Sequence, residues 1–303
     1  MADVKQPILL ISQVQRCGGS LLSHLFDGHT SCWSYPGELI LGDDKYSFPD
    51  LSSNKSMNKI WDKIHNKKLS GFVKKGYRKQ SNRATEKHKG IPFKYDEILH
   101  KRFFESVRKK GDRQILNKYL SGLFSSWSNY RNSTCYKSYV VAFIPRFSFR
   151  EDNMDWFFST YPDGHLISIV RDPVTWWCSI KRHKPQYEDK TKAKSLWDLN
   201  ISSIQRNQDS YRDKMFVLKF EHLLTNTENV MVSLCKRLGL KFEDQLLKPT
   251  HNSIDIKADS SFQVPHGGII QTPLHIKCLE EEAAWIRDNF VQFQGDYDVV
   301  PTE

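Results

Sequence analysis

The stretch Ile167-Ser-Ile-Val-Arg171-Asp172-Pro173-Val-Thr-Trp-Trp-Cys-Ser179-Ile-Lys-Arg-His183 decides how the rest of the chain is read. An apolar run of strand type ends in an arginine, and a proline then opens a helix, the position proline tolerates best. The serine eight residues beyond Arg171 falls inside that helix. This layout aims a guanidinium fork and a hydroxyl at one anionic group, and arginine suits bidentate phosphate recognition. A helix N-terminus facing the same anion would add its partial positive charge.

A second segment repeats the plan near the start of the chain: Ile8-Leu-Leu-Ile-Ser-Gln-Val14-Gln15-Arg16-Cys17-Gly18-Gly19-Ser20-Leu21-Leu22-Ser23-His24-Leu25-Phe26. An apolar run leads into Arg-Cys-Gly-Gly-Ser and then into apolar residues at helical period. Glycines let the backbone approach a ligand closely, Ser20 is expected to cap the helix, and the loop would offer its N–H groups to a phosphate. The Gly-Lys-Ser/Thr ending of a Walker A loop is missing. Taken alone, the segment reads equally well as an ordinary strand–turn–helix.

Together the two segments resemble the PAPS-dependent sulfotransferase family (PAPS, 3′-phosphoadenosine-5′-phosphosulfate). Arg16 to Leu22 stands where that family has Arg-Ser-Gly-Thr-Ser/Thr-Leu-Leu, with Gln15 in place of a proline and Cys17 in place of a serine. Arg171, Asp172, Pro173 and Ser179 match its later motif, spacing included. Phe216 to Leu223 and Leu238-Gly239-Leu240 are similar to its late strand, Glu-x-Leu turn and helix end. The resemblance runs patchily from about residue 8 to 265 and fails from about 45 to 130.

The resemblance implies that Arg16, Cys17, Gly18, Gly19, Ser20 and Leu21 hold the 5′-phosphosulfate of PAPS, with Arg16 also stabilising the transferred group. It implies that Arg171 and Ser179 hold the 3′-phosphate. Glu38 lies near the position of the glutamate base in carbohydrate and tyrosylprotein members, with His29 and His24 as alternatives. Lys137 resembles a lysine that neutralises the transferred sulfuryl group, and Ser260 or Ser261 resembles a serine at the phosphosulfate end. No metal is expected. The acceptor would be a small molecule or glycan bearing a hydroxyl, and the product PAP. Trp33, Trp176 and Trp177 are candidates to stack on adenine, to line the acceptor pocket or simply to fill the core.

Composition agrees with a packed enzyme. The 303 residues are 39% hydrophobic and 13% aromatic, enough for a sizeable core. No apolar run reaches bilayer-spanning length and no signal-peptide pattern is seen, so a cytoplasmic protein is expected. Six cysteines are scattered without paired spacing, which argues against a disulfide framework or zinc site. Cys17 is either a thiol activated by the helix end or a small packing residue.

Charge is uneven. Residues 55–118 hold 20 Lys and Arg against 6 Asp and Glu, a balance of +14 against +10 for the whole chain, which leaves −4 for the remainder. This basic stretch coincides with the loss of resemblance and reads as a helical insertion at about 45–130, with helices at 57–68, 95–109 and 114–127. It is a solvated cap, a lid attracting anions, or a nucleic-acid contact using Phe72, Tyr77 and Phe93. Elsewhere strands are expected at 8–14, near 32, and at 136–142, 165–170 and 216–220. Helices are expected at 20–26, 147–160, 173–181, 193–211, 227–238 and 279–290. That βαβ order predicts one α/β domain with a mostly parallel sheet and a P-loop-like phosphate loop. A small-molecule kinase and a non-catalytic nucleotide or RNA binder are the competing readings, the former weakened by the missing Walker lysine.

Overall fold

A computed structural model describes residues 2–40, 51, 56–65, 68–77, 90–106, 111–133, 136–256 and 279–298. Its centre is a parallel sheet of β1 (Ile8–Ile11), β2 (Cys32–Glu38), β3 (Tyr139–Phe143), β4 (His165–Val170) and β5 (Met215–Lys219), in the order β2-β3-β1-β4-β5. The three central strands are almost wholly apolar because both faces are covered. Leu9 and Ile11 of β1, Val141 of β3 and Ile167 and Ile169 of β4 share one apolar cluster, while Ile8, Leu10, Val140, Ala142 and Leu166 share the other. The period-two alternation of a strand thus splits the core in two.

Around this sheet the chain runs α1 (Gly19–Phe26), α2 (Met57–Ile64), α3 (Lys68–Lys75), α4 (Glu97–Glu105), α5 (Asp112–Ser126), α6 (Glu151–Thr160), α7 (Pro173–His183), α8 (Lys190–Ser210), α9 (Phe220–Thr225), α10 (Thr227–Leu238) and α11 (Glu280–Asn289). Helices α1, α9 and α10 cover one face. The other is covered by α5, α6, α7 and α8, with the helices of the basic segment continuing the same cluster through Ile60, Trp61, Leu69, Phe104 and Tyr119. The segment is therefore no detached cap: its apolar stripe belongs to the main core, and its described lysines are exposed or half-buried. Among the described residues no helix is long and apolar enough to cross a membrane.

Several expectations needed adjusting. The helix expected over 57–68 is two helices, because α2 stops at His65, whose backbone is extended. Tyr77 and Phe93 are buried, at 4% and 3% exposure, so they form no open stacking platform for bases. Strand β3 begins at Tyr139 rather than 136. Edge strand β2 contains Pro36, which lacks an N–H and is tolerated only on an edge or at a bulge. Its register with β3 shifts between Ser34 and Glu38, and Gly37 takes a φ of 90° there. That irregularity sets the direction in which Glu38 leaves the sheet.

Candidate active site

Because every strand pairing in the sheet is parallel, all the strands end at the same edge. Ile11, at the end of β1, pairs with Phe143, and Phe143 also pairs with Glu38. Arg16 follows β1, Arg146 follows β3 and Arg171 follows β4. Three arginines and one glutamate therefore converge on the carboxyl edge, where open α/β sheets bind ligands.

The glycine loop is held in a conformation most side chains avoid. Arg16 has φ 72° and Gly18 φ 98°. A Cβ on Gly18 would stand 2.5 Å from the Phe220 ring, and one on Gly19 would overlap the Gln13 amide and the Phe143 ring. The Gln13 amide oxygen accepts from the Gly19 N–H at 3.1 Å while its nitrogen donates to Ser12 O. Helix α1 then begins with no cap from Gly18, the residue before it, while the Gln13 amide oxygen takes the N–H of its first residue, Gly19. Ser20 does not cap it as expected, being the second residue of the helix rather than the one before it. The N–H groups of a helix's first turn have no intrahelical acceptor, so this end suits an anion.

Other elements fasten the loop. Arg171 Nη1 donates to Arg16 O at 2.8 Å and its Nε to Thr175 Oγ1 at 3.0 Å. Its guanidinium lies 4.5 Å from the Phe220 ring centre and is 5% exposed, so burial pushes its pKa down from the ordinary arginine value. The Glu221 carboxylate opposes that shift, and its Oε1 accepts from the Asp172 N–H. Arg16 Nε donates to Ser179 Oγ at 3.0 Å. The two segments read separately in the sequence thus meet through Arg16, Arg171 and Ser179. The N-terminus of α7 is occupied by the Asp172 carboxylate, which accepts from Thr175 N. Helix α7 is thus stopped by its own cap, and α1 is the end of the two better suited to an anion.

Arg146 was not anticipated. It has φ 64°, donates through Nε to Gln15 Oε1 at 2.6 Å and through Nη2 to the Tyr187 hydroxyl, while its N–H reaches Gln13 O. The Ile144-Pro145-Arg146 turn after an apolar run was its only sequence signal. Trp176 and Trp177 are core residues whose indole N–H groups donate to Gln15 O and Tyr187 O. Burial pushes the Cys17 thiol far up, so it is a packing residue and no thiolate.

Other expected residues lie elsewhere. Lys137 precedes β3 and so stands at the amino edge, six residues before Phe143 and roughly 20 Å along the strand direction. Its ammonium donates to Thr30 O and Asn132 Oδ1 beneath the Trp33 ring, and it touches no part of the glycine loop. His29 sits at that same edge, bonded to Lys241 O and Ser31 N. His24 is fixed between Thr250 O and the Tyr77 hydroxyl. Trp33, second residue of β2, is near the amino edge and stacked on Tyr130. Ser260 and Ser261 lie outside the described residues. Glu38 stands at the carboxyl edge, paired with Phe143.

No curated protein matches this sequence. Among solved structures, the sulfotransferase domain from the curacin biosynthetic pathway aligns over 93% of this chain and 96% of its own, at 17% identity and a TM-score of 0.48. The sulfotransferase domain of the Synechococcus PCC 7002 olefin synthase aligns over 94% and 95%, at 16% identity and TM-score 0.46. A sulfotransferase from Alicyclobacillus acidocaldarius aligns over 84% and 88%, at 16% and 0.43. The profile of the sulfotransferase family matches residues 7–244, a span that holds the glycine loop, the Arg171–Ser179 motif and all five strands, and the chain belongs to that family.

Proposed function

We propose that this chain transfers the sulfuryl group of PAPS to a hydroxyl of a small-molecule acceptor, with Glu38 as general base. The observation that carries the reading is the meeting of two anion-suited elements at one edge: the first turn of α1 beside Arg16, and Arg171 with Ser179. A donor with anionic groups at two ends needs two such holds. Gly18 and Gly19 let the loop pack directly on Phe220, Gln13 and Phe143, which holds it in place. In this reading the Ser20 and Leu21 N–H groups and Arg16 hold the phosphosulfate, and Arg171 and Ser179 the 3′-phosphate.

PAPS brings an activated sulfuryl group on a phosphate leaving group. The protein positions that group, stabilises the charge that develops and removes the acceptor's proton. Arg16 and the start of α1 do the second of these, and Glu38, projecting from the same edge, does the third.

Calorimetric titration with PAP, with ATP as control, tests the donor. Tight PAP binding with weak ATP binding supports it, and a folded chain that ignores PAP overturns it. A panel of acceptors with PAPS (p-nitrophenol, N-acetylglucosamine, a long-chain alcohol) then tests transfer. Glu38→Gln is expected to keep PAP affinity and lose turnover by about 100-fold or more, the scale of a lost general base. Retained turnover removes Glu38 from the mechanism.

A further inference from the structure

Among the described residues, the basic segment meets the carboxyl edge at Glu38 and Gly37. Lys68, Phe72 and Lys75 recur at i, i+4 and i+7 and so share one face of α3. Lys68 Nζ lies 3.2 Å from Glu38 Oε2. The next residue back, Gly37, has Phe72 against it: a Cβ there would stand 3.5 Å from Phe72 Cζ and 4.0 Å from Tyr77 Cε2. Helix α3 is fixed from both ends of this contact. Leu69, beside Lys68, is fully buried, and beyond the helix Tyr77 stacks on His251 with ring centres 3.4 Å apart while its hydroxyl bonds His24 Nε2.

The ion pair itself does little for stability. The Lys68 and Glu38 side chains are 57% and 35% exposed, and such pairs are screened by water and offset by side-chain entropy. Its effect is geometric. Glu38 leaves the sheet from a register shift at the end of an edge strand, just after a glycine in the left-handed region. The regular ladder is broken just before Glu38, and the Lys68 ammonium, carried by a separately anchored helix, meets its carboxylate there.

We propose that Lys68 is a positioning residue for Glu38, and that the Lys68–Phe72 face of α3 is a wall of the acceptor side of the site. The basic segment then completes the catalytic edge. This inference rests on the reading of Glu38 as base. Lys68 acts through Glu38 and need not touch the donor.

The test is steady-state kinetics of the full chain carrying Lys68→Ala or Lys68→Arg, with PAPS and the acceptor turned over in the panel above, beside calorimetry with PAP. Lys68→Ala is expected to lower kcat about tenfold, a modest misplacement of a reacting group, while PAP affinity stays at the wild-type value. Lys68→Arg, which keeps the cation, restores most of kcat. In a Glu38→Gln background, Lys68→Ala costs nothing further, because the group it positions is gone. An unchanged kcat for Lys68→Ala overturns the proposal. So does a loss that arginine does not restore, or a loss that is additive with Glu38→Gln. Full activity of Glu38→Gln alone, or a wild-type chain that turns over no acceptor, overturns the parent reading instead and is visible before Lys68 is touched.

Discussion

Lys137, at the amino edge of the sheet, is 8% exposed, and Arg171, at the carboxyl edge, is 5% exposed. Both cations have partners, yet their surroundings differ in kind. Lys137 donates to a carbonyl and an amide oxygen and faces an indole ring. Around Arg171 the backbone of Arg16, Gly18 and Arg146 lies in the left-handed region, and α1 starts with no cap from the residue before it. Left-handed backbone at a non-glycine residue is unfavourable and persists only where the surroundings enforce it. Depth of burial therefore does not separate the two positions. Enforced strain beside the first turn of a helix does.

The largest effect is expected from Gly19→Ala at the carboxyl edge. The added Cβ would overlap the Gln13 amide and the Phe143 ring, so the loop must move. Overpacking of this kind costs about 1–3 kcal/mol of stability, and PAP binding should be lost with it. Thermal unfolding and PAP calorimetry on the same sample would read both. A variant that binds PAP normally would break the claim that this loop is the donor's cradle.

Arg171→Ala comes next. It removes the guanidinium that braces Arg16 O and, in the proposed reading, a charged contact to the 3′-phosphate. PAP binding should weaken by roughly 2 kcal/mol, the scale of a charge-assisted hydrogen bond. Unchanged affinity would move Arg171 to the same structural category as Lys137.

The smallest effect sharpens the comparison from the other side. Lys137→Met should leave PAP affinity intact and lower stability by about 1 kcal/mol, since Thr30 O and Asn132 Oδ1 lose their donor. Weakened PAP binding would return Lys137 to the site. Burial lowers the Lys137 pKa from 10.5 to about 8. Between those values the unfolded chain binds more protons than the folded one, so this group makes stability rise with pH from about 8 towards 10.5. Denaturant melts across that range should show the rise in the wild type and a flatter curve in Lys137→Met.

Much of this was legible in the chain, and the exceptions have physical reasons. Strand β4 and helix α10 fall where the apolar pattern put them, because one has an unbroken apolar run and the other a glycine at its end, Gly239, at φ 65°. The two segments that meet through Arg16, Arg171 and Ser179 were legible because strand ends followed by glycine or proline are local signals. Lys137 was carried by family resemblance against its own position: a residue before a strand of a parallel sheet stands at the amino edge. The surroundings of His24 and His29 were not legible for a different reason, since their partners Tyr77, Thr250 and Lys241 are remote in sequence.

Local patterning of the sequence determined that this chain forms a parallel sheet with anion-suited turns at its strand ends. Apolar runs, glycine and proline act over a few residues and need no distant partner. The strand order β2-β3-β1-β4-β5 was decided by tertiary structure alone. That order places β3, and with it Arg146 and the Glu38 turn, beside β1, and it lays α3 against Gly37. Such neighbours are chosen by how crossing helices bury both faces of the sheet, a non-local packing problem that no single segment encodes.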